Sequence, residues 1–132
     1  MKLITRNTDY ALRAICYISK INDLVAVAEL VNKLGVPKPF MRKILQRMTK
    51  EKILGSYKGQ GGGFRLKRGA DRIYITDIMR IFQGPLELNG CFLKKDACPN
   101  KGKCVLRKKI RFIEEQALRE LKKITISSLI EG

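Results

Sequence analysis

The chain contains no histidine and no tryptophan among its 132 residues. Without imidazole it lacks the commonest general base near neutral pH and the commonest neutral metal ligand. Acidic groups are scarce as well, 12 Asp and Glu against 28 Lys and Arg, for a formal net charge of +16. A surplus of that size favours a polyanionic partner, nucleic acid first and an anionic membrane surface second. Long apolar runs are also missing, and the N-terminal MKLITRNTDYALRA has neither the apolar stretch nor the small-residue cleavage site of a secretion signal. The expectation is a cytoplasmic protein that does not engage a membrane. Nothing in the chain pairs a nucleophile with a base, and its single glycine run leads into a strand pattern rather than a helix. An enzyme is the poorest fit.

What is present is enough for one compact unit: 45% hydrophobic residues and 30% charged ones describe a globular chain rather than a disordered one. Ala11, Ala14, Ile15 and Ile18 recur at helical spacing and predict a helix from Thr8 to about Lys20, capped by Thr8 or Asn7. Cys16 falls on its inner face and reads as a small buried hydrophobe. A second helix is expected over 27–34, stopped by Gly35, and a third from Pro37 to about Lys52. In that third helix Phe40, Ile44, Leu45 and Met48 are expected to face inward. Two helices joined by a short turn with a glycine are the form of a helix-turn-helix. The continuation ILGSYKGQGGGFRLKR alternates over 54–58 and 64–67 around a glycine loop, which makes a β-hairpin wing.

Charge follows the same plan. From Lys33 to Arg68 there are eleven Lys or Arg and one acid, Glu51. The candidate DNA contacts are Lys38, Arg42, Lys43 and Arg47 on the third helix, with Lys58, Gln60 and Arg65 on the wing. Beyond the wing, Ile73 and Ile75 are strand-like and Thr76 is a cap for a short helix over 77–82, ended by Gly84-Pro85. A last helical pattern runs from Val105 to Ile124 through Leu106, Ile110, Ile113, Ala117 and Leu121. A helix that long cannot bury its whole stripe on so small a domain, so a second copy is expected to cover it. The fold class is therefore mainly α with a small β-hairpin wing: a winged helix-turn-helix over 1–84, a loop over 85–104, and a dimerisation helix with a C-terminal return over 105–132.

The loop holds Cys91, Cys98 and Cys104 within fourteen residues. In a reducing compartment such a cluster is a metal site or a redox sensor rather than a disulfide framework. Thiolates suit iron–sulfur clusters and zinc alike, and the lack of a C-x-x-C pair makes a zinc knuckle less natural than a cluster held by a loop. Lysines 94, 95, 101 and 103 can also lower thiol pKa values, which keeps a metal-free thiol sensor open. A basic zinc-containing RNA-binding module fits the charge and the cysteines; the wing directly after the helix-turn-helix argues for duplex DNA instead.

TDYALRA at 8–14, AVAELVNKLGVPKPFMRKILQRM at 26–48, KGQGGGFRL at 58–66, ITDI at 75–78 and the three cysteines resemble the Rrf2 family of bacterial transcription regulators over essentially the whole chain. The resemblance implies a homodimeric winged helix-turn-helix regulator, a repressor in the first instance, on palindromic double-stranded DNA. In members with three such cysteines it implies an iron–sulfur cluster, [2Fe-2S] or [4Fe-4S], that controls DNA affinity and can be absent from an aerobic preparation. Cys91, Cys98 and Cys104 match its ligands, although the first gap is one residue longer than in the best-known members. One branch takes a histidine just after the third cysteine as fourth ligand; this chain has Arg107 there. The nitric-oxide-sensing branch uses an aspartate near the start of the first helix, reaching across from the other protomer, and Asp9 occupies that place. A cluster-free member switched by thiol oxidation or by a protein partner is the alternative.

Overall fold

The computed structural model describes residues 3–86 and 105–131. Helices α1 (Arg6–Ile21), α2 (Val27–Leu34) and α3 (Lys38–Lys50) precede a hairpin of β1 (Leu54–Tyr57) and β2 (Gly63–Leu66). A 3-10 turn over Ala70–Arg72 leads to α4 (Ile75–Gln83), and the chain closes with α5 (Val105–Leu121) and α6 (Ile126–Glu131). The fold is the mainly helical, winged arrangement expected.

One core unites the first three helices and the hairpin. Ala11, Ala14, Ile15 and Ile18 of α1 meet Leu30 of α2, Met41, Ile44, Leu45 and Met48 of α3, and Ile53 and Leu54 at the entry to β1. Each fully buried side chain of this size contributes on the order of 1.5–3 kcal/mol against exposure. On α3 the buried stripe is therefore Met41, Ile44, Leu45 and Met48, and Phe40 lies outside it, 47% exposed. The reason is local. Val36, just before the helix cap Pro37, is buried with Met41 in a hydrophobic staple, which turns residue 41 inward and residue 40 out. Cys16 packs against this core while half-buried, and burial pushes its thiol above the usual value.

Two helix starts lie upstream of their sequence-based positions. Thr5, not Thr8 or Asn7, caps α1, its hydroxyl accepting from the Thr8 N–H at 3.4 Å. Thr8 is fully buried inside the helix instead. Likewise α4 starts at Ile75, with Tyr74 rather than Thr76 as cap, because the segment before it pairs with the C-terminus. Tyr74 bridges Thr125, Ile75 N–H donates to the Ile124 carbonyl at 2.9 Å, and Ile126 N–H donates to that of Ile73 at 2.8 Å. The strand character expected at Ile73 and Ile75 is thus spent on this short bridge. It also ends α5 at Leu121, three residues before Ile124, and returns α6 so that Ile126 is fully buried.

The wing is fastened to the helices through its backbone. Val25 N–H donates to the Phe64 carbonyl at 2.8 Å and Phe64 N–H to that of Val25 at 2.9 Å, so the turn before α2 continues the hairpin. This close approach needs a residue without a side chain at Gly63, where a Cβ would stand 2.5 Å from the Val25 carbonyl oxygen. Gly63→Ala is expected to lower stability by about 1–3 kcal/mol, as an overpacked contact does, and a denaturant titration of the two proteins measures it.

Candidate nucleic-acid interface

The outward arc of α3 is basic by elimination: with Met41, Ile44, Leu45 and Met48 buried, Lys38, Arg42, Lys43 and Arg47 are all exposed. No acid accompanies them on the same helix, and its first turn carries none. A helix end usually gains from acids in its first turn. Their absence here leaves the N-terminus free to approach phosphate.

α2 is set beneath α3 by a specific contact to α1. The Tyr17 hydroxyl donates to Glu29 Oε2 at 2.6 Å, and that hydrogen bond raises the phenol pKa above its ordinary value. It ties the first helix of the helix-turn-helix pair to the helix behind it.

On the wing, Lys58, Gln60 and Arg65 are exposed, as the sequence-based assignment requires. Gly59 and Gly61 have φ of 101° and 76°, a turn closed by Gly62 N–H donating to the Gly59 carbonyl at 3.0 Å. Sequence reasoning missed the group that orients Arg65. Its guanidinium carbon stands 5.0 Å from the centre of the Tyr57 ring, within cation–π range. Arg65 pairs across the hairpin with Gly55, and a Cβ at Gly55 would come within 3.2 Å of the Tyr57 ring. The ring therefore folds back over the glycine and supports the arginine opposite. The signal was legible: a glycine with an aromatic residue two positions on, on the same strand face, opposite a cation.

Asp9 sits in the first turn of α1, where its carboxylate pairs with Arg13 at 3.0 Å. Both side chains are substantially exposed, 60% for Arg13 and 44% for Asp9. Such a pair is worth about 0–1 kcal/mol, so the carboxylate is available to another partner at little cost. Cys91, Cys98 and Cys104, the other proposed metal ligands, lie outside the described residues. Among the described residues no cluster of three or more His, Cys, Asp or Glu is assembled.

The end of α4, three residues short of the last described position before that segment, is clamped to the start of α1 by one amide. Gln83 Oε1 accepts from Thr5 N–H at 3.1 Å and from the Thr8 hydroxyl at 2.7 Å, while Gln83 Nε2 donates to the Leu3 carbonyl at 2.9 Å. The turn that carries Asp9 and the helix that leads toward the cysteines are one hydrogen-bonded unit. Gln83→Leu removes all three of these hydrogen bonds and leaves the buried Thr8 hydroxyl only the Thr5 hydroxyl, 3.0 Å away, as a side-chain partner, and a loss of about 1–3 kcal/mol is expected in thermal or denaturant unfolding.

Along α5 the apolar residues Val105, Leu106, Phe112 and Ile113 are 65%, 64%, 55% and 50% exposed. Only Leu121, at the far end, is buried, against Ile75 and Met79 of α4. A shallow groove on the exposed part is lined by Val105, Lys108, Lys109, Phe112 and Ile113.

Comparison with known proteins gives a consistent picture. The Rrf2 family model, described as an iron-dependent transcriptional regulator, matches residues 4–132. Among solved structures, the chain is similar to CymR, the global cysteine regulator of B. subtilis, at 20% identity and a TM-score of 0.79, covering 99% of this chain and 98% of that one. It is similar to IscR of T. potens at 21% identity and a TM-score of 0.71, covering 99% and 87%. The oxidized form of Staphylococcus aureus CymR matches at 17% identity and a TM-score of 0.78, covering 100% and 98%.

Proposed function

This chain belongs to the Rrf2 family of transcriptional regulators, and on that premise we propose that it is a homodimeric, cytoplasmic DNA-binding repressor whose operator affinity is set by an iron–sulfur cluster. The observation that carries the DNA reading is the exposed basic arc of α3, continuous in charge with a wing whose Arg65 is already held over Tyr57. We divide the chain into a DNA-binding part over 1–84, a sensor segment over 85–104 and a dimerisation part over 105–132.

In the dimer, two α3 helices enter successive major grooves of a palindromic site through Lys38, Arg42, Lys43 and Arg47. Lys58, Gln60 and Arg65 bring the wings to the flanking backbone or minor groove. Each phosphate neutralised releases counterions, so affinity falls steeply with salt. Phe112 and Ile113 on α5 supply the apolar seam between the two copies, since they are exposed in the single chain.

The donor set fits a cluster. Cys91, Cys98 and Cys104 supply three thiolates, and Asp9 supplies an accessible carboxylate that needs only to leave an exposed arginine. The cluster contributes reversible redox and ligand chemistry when bound. The chain's own part is to hold the cysteine segment and, by Asp9 of the partner subunit, to join that segment to the start of α1. From there the Gln83 clamp and the α1 core carry any displacement to α3.

A second reading is favoured by the likeness to CymR, one structure of which is an oxidized form. Here the same three thiols are switched by oxidation or by a partner protein, with no cluster.

Anaerobic purification separates the two. The expected product is a coloured protein with iron and sulfide, whose absorption bands are lost in Cys98→Ala and weakened or made labile in Asp9→Ala. Holo protein and Cys98→Ala are expected to differ in duplex affinity by about 5- to 150-fold, the usual range for a useful switch. Equal affinity and equal response in the two would refute cluster control. A colourless wild type whose duplex binding responds to peroxide would transfer the switch to thiol chemistry.

The dimer is tested separately. Ile113→Glu puts a charge into the seam on both copies, and light scattering is expected to show a dissociation constant raised on the order of 100-fold.

A further inference from the structure

We propose that Phe40 is a base-reading residue, and that the group it recognises is the 5-methyl of a thymine in the major groove. The inference rests on the DNA-binding reading above and adds to it the chemistry of one contact.

Phe40 is the third residue of α3, and the first turn of a recognition helix is where base edges are met. Its neighbour Met41 is fully buried by the staple to Val36, so the phenyl ring is held to the outer side of the helix. At 100° per residue Phe40 lies about 20° from Arg47 and about 60° from Lys43 around the axis. All three are exposed. The ring thus belongs to the stripe that carries the proposed phosphate and base contacts rather than to the core.

A half-exposed phenyl group has unused apolar surface, and something must cover it for its position to be of use. A second copy of the chain is a poor occupant, because Lys43 and Arg47 flank the ring on its side of the helix with charge of one sign. Those same cations suit DNA. On the major-groove edge of the four bases the one apolar group is the thymine methyl, and a phenyl ring is among the side chains that contact it. The lysines and arginines can read guanine or neutralise phosphate; Phe40 can do neither, so its contribution is selective for thymine.

The test works without a known operator. Preferred sites are selected from a random duplex pool with the full-length wild-type protein, and each thymine of the best site is then replaced in turn by deoxyuridine, which removes only the methyl. At one thymine in each half-site this replacement is expected to weaken wild type about fourfold, the equivalent of about 0.8 kcal/mol for one methyl group. Phe40→Ala is expected to bind the thymine and deoxyuridine duplexes equally, and Phe40→Leu to keep part of the difference. The ring is exposed, so both variants should unfold at nearly the wild-type temperature. If wild type ignores every thymine methyl, or if Phe40→Ala retains the full discrimination, the inference is overturned while DNA binding stands. If no duplex is enriched at all, the DNA-binding reading falls and this one with it.

Discussion

Two backbone hydrogen bonds between Val25 and Phe64 are the constraint on which the rest of the interface depends. They make the wing an extension of the chain that enters α2, so hairpin and helix-turn-helix share one frame. A two-stranded hairpin alone is marginal in water and needs such an attachment to hold its shape. With it, the cations of α3 and those of the wing keep a fixed relation, and a fixed array of charges is what a rigid phosphate backbone selects. Gly63 is the residue that permits the approach, and Gly55 repeats the device on the outer face by making room for Tyr57 beneath Arg65. In both places a missing side chain lets a neighbouring group be positioned.

The net charge shapes the same surface from the opposite direction. A chain of +16 repels its own copies, and association must come from apolar area that outweighs this. In the proposed dimer that area is on α5, distant in sequence from the basic stretch between Lys33 and Arg68, where Val105, Leu106, Phe112 and Ile113 are exposed in the single chain. Separating the apolar residues of α5 from the cationic arc would, in that dimer, let one part of the molecule gather copies while another is held for the polyanion. Phe40 is the exception, an apolar group inside the arc, and its position there is what makes it informative.

Much of this plan was legible in the residues because short-range rules govern it. The inner stripe of α1, the stop at Gly35, the hairpin around the glycine run and the basic outer face of α3 follow from periodicity and local chemistry. The misplacements share a different cause. On α3 two overlapping stripes, one through Phe40 and one through Met41, satisfy the same helical spacing, and Val36 before the helix decides between them. The start of α4 is decided by Thr125, about fifty residues downstream, through a bridge that no local pattern announces. The cap of α1 is decided by Gln83, whose amide captures Thr8 and leaves Thr5 to close the helix. Glutamine at a helix end carries no signal of such reach. The cysteine segment was read from residue type, spacing and resemblance alone, and it lies outside the described residues.

The capture by Gln83 bears on how a switch in this fold can work. A signal received between α4 and α5 has two covalent exits. One leads into α5, whose far end docks through Leu121 on Ile75 and Met79 of α4. The other leads back into α4, whose last residue holds the start of α1 by three hydrogen bonds. Both exits converge on α4, and from α4 the next element is α1, whose inner face is the floor under α2 and α3. A close-packed interior transmits such a displacement because it has no slack to absorb it. Asp9 stands on the same turn as the Gln83 clamp, and its carboxylate holds an exposed ion pair with Arg13. As the proposed fourth ligand it would leave that pair at little cost, and its redirection would act on the end of α1 that α4 already grips. Under the proposed cluster control, coupling between segment 85–104 and α3 would require no separate pathway, because α4 meets α1 and the inner face of α1 packs against α2 and α3.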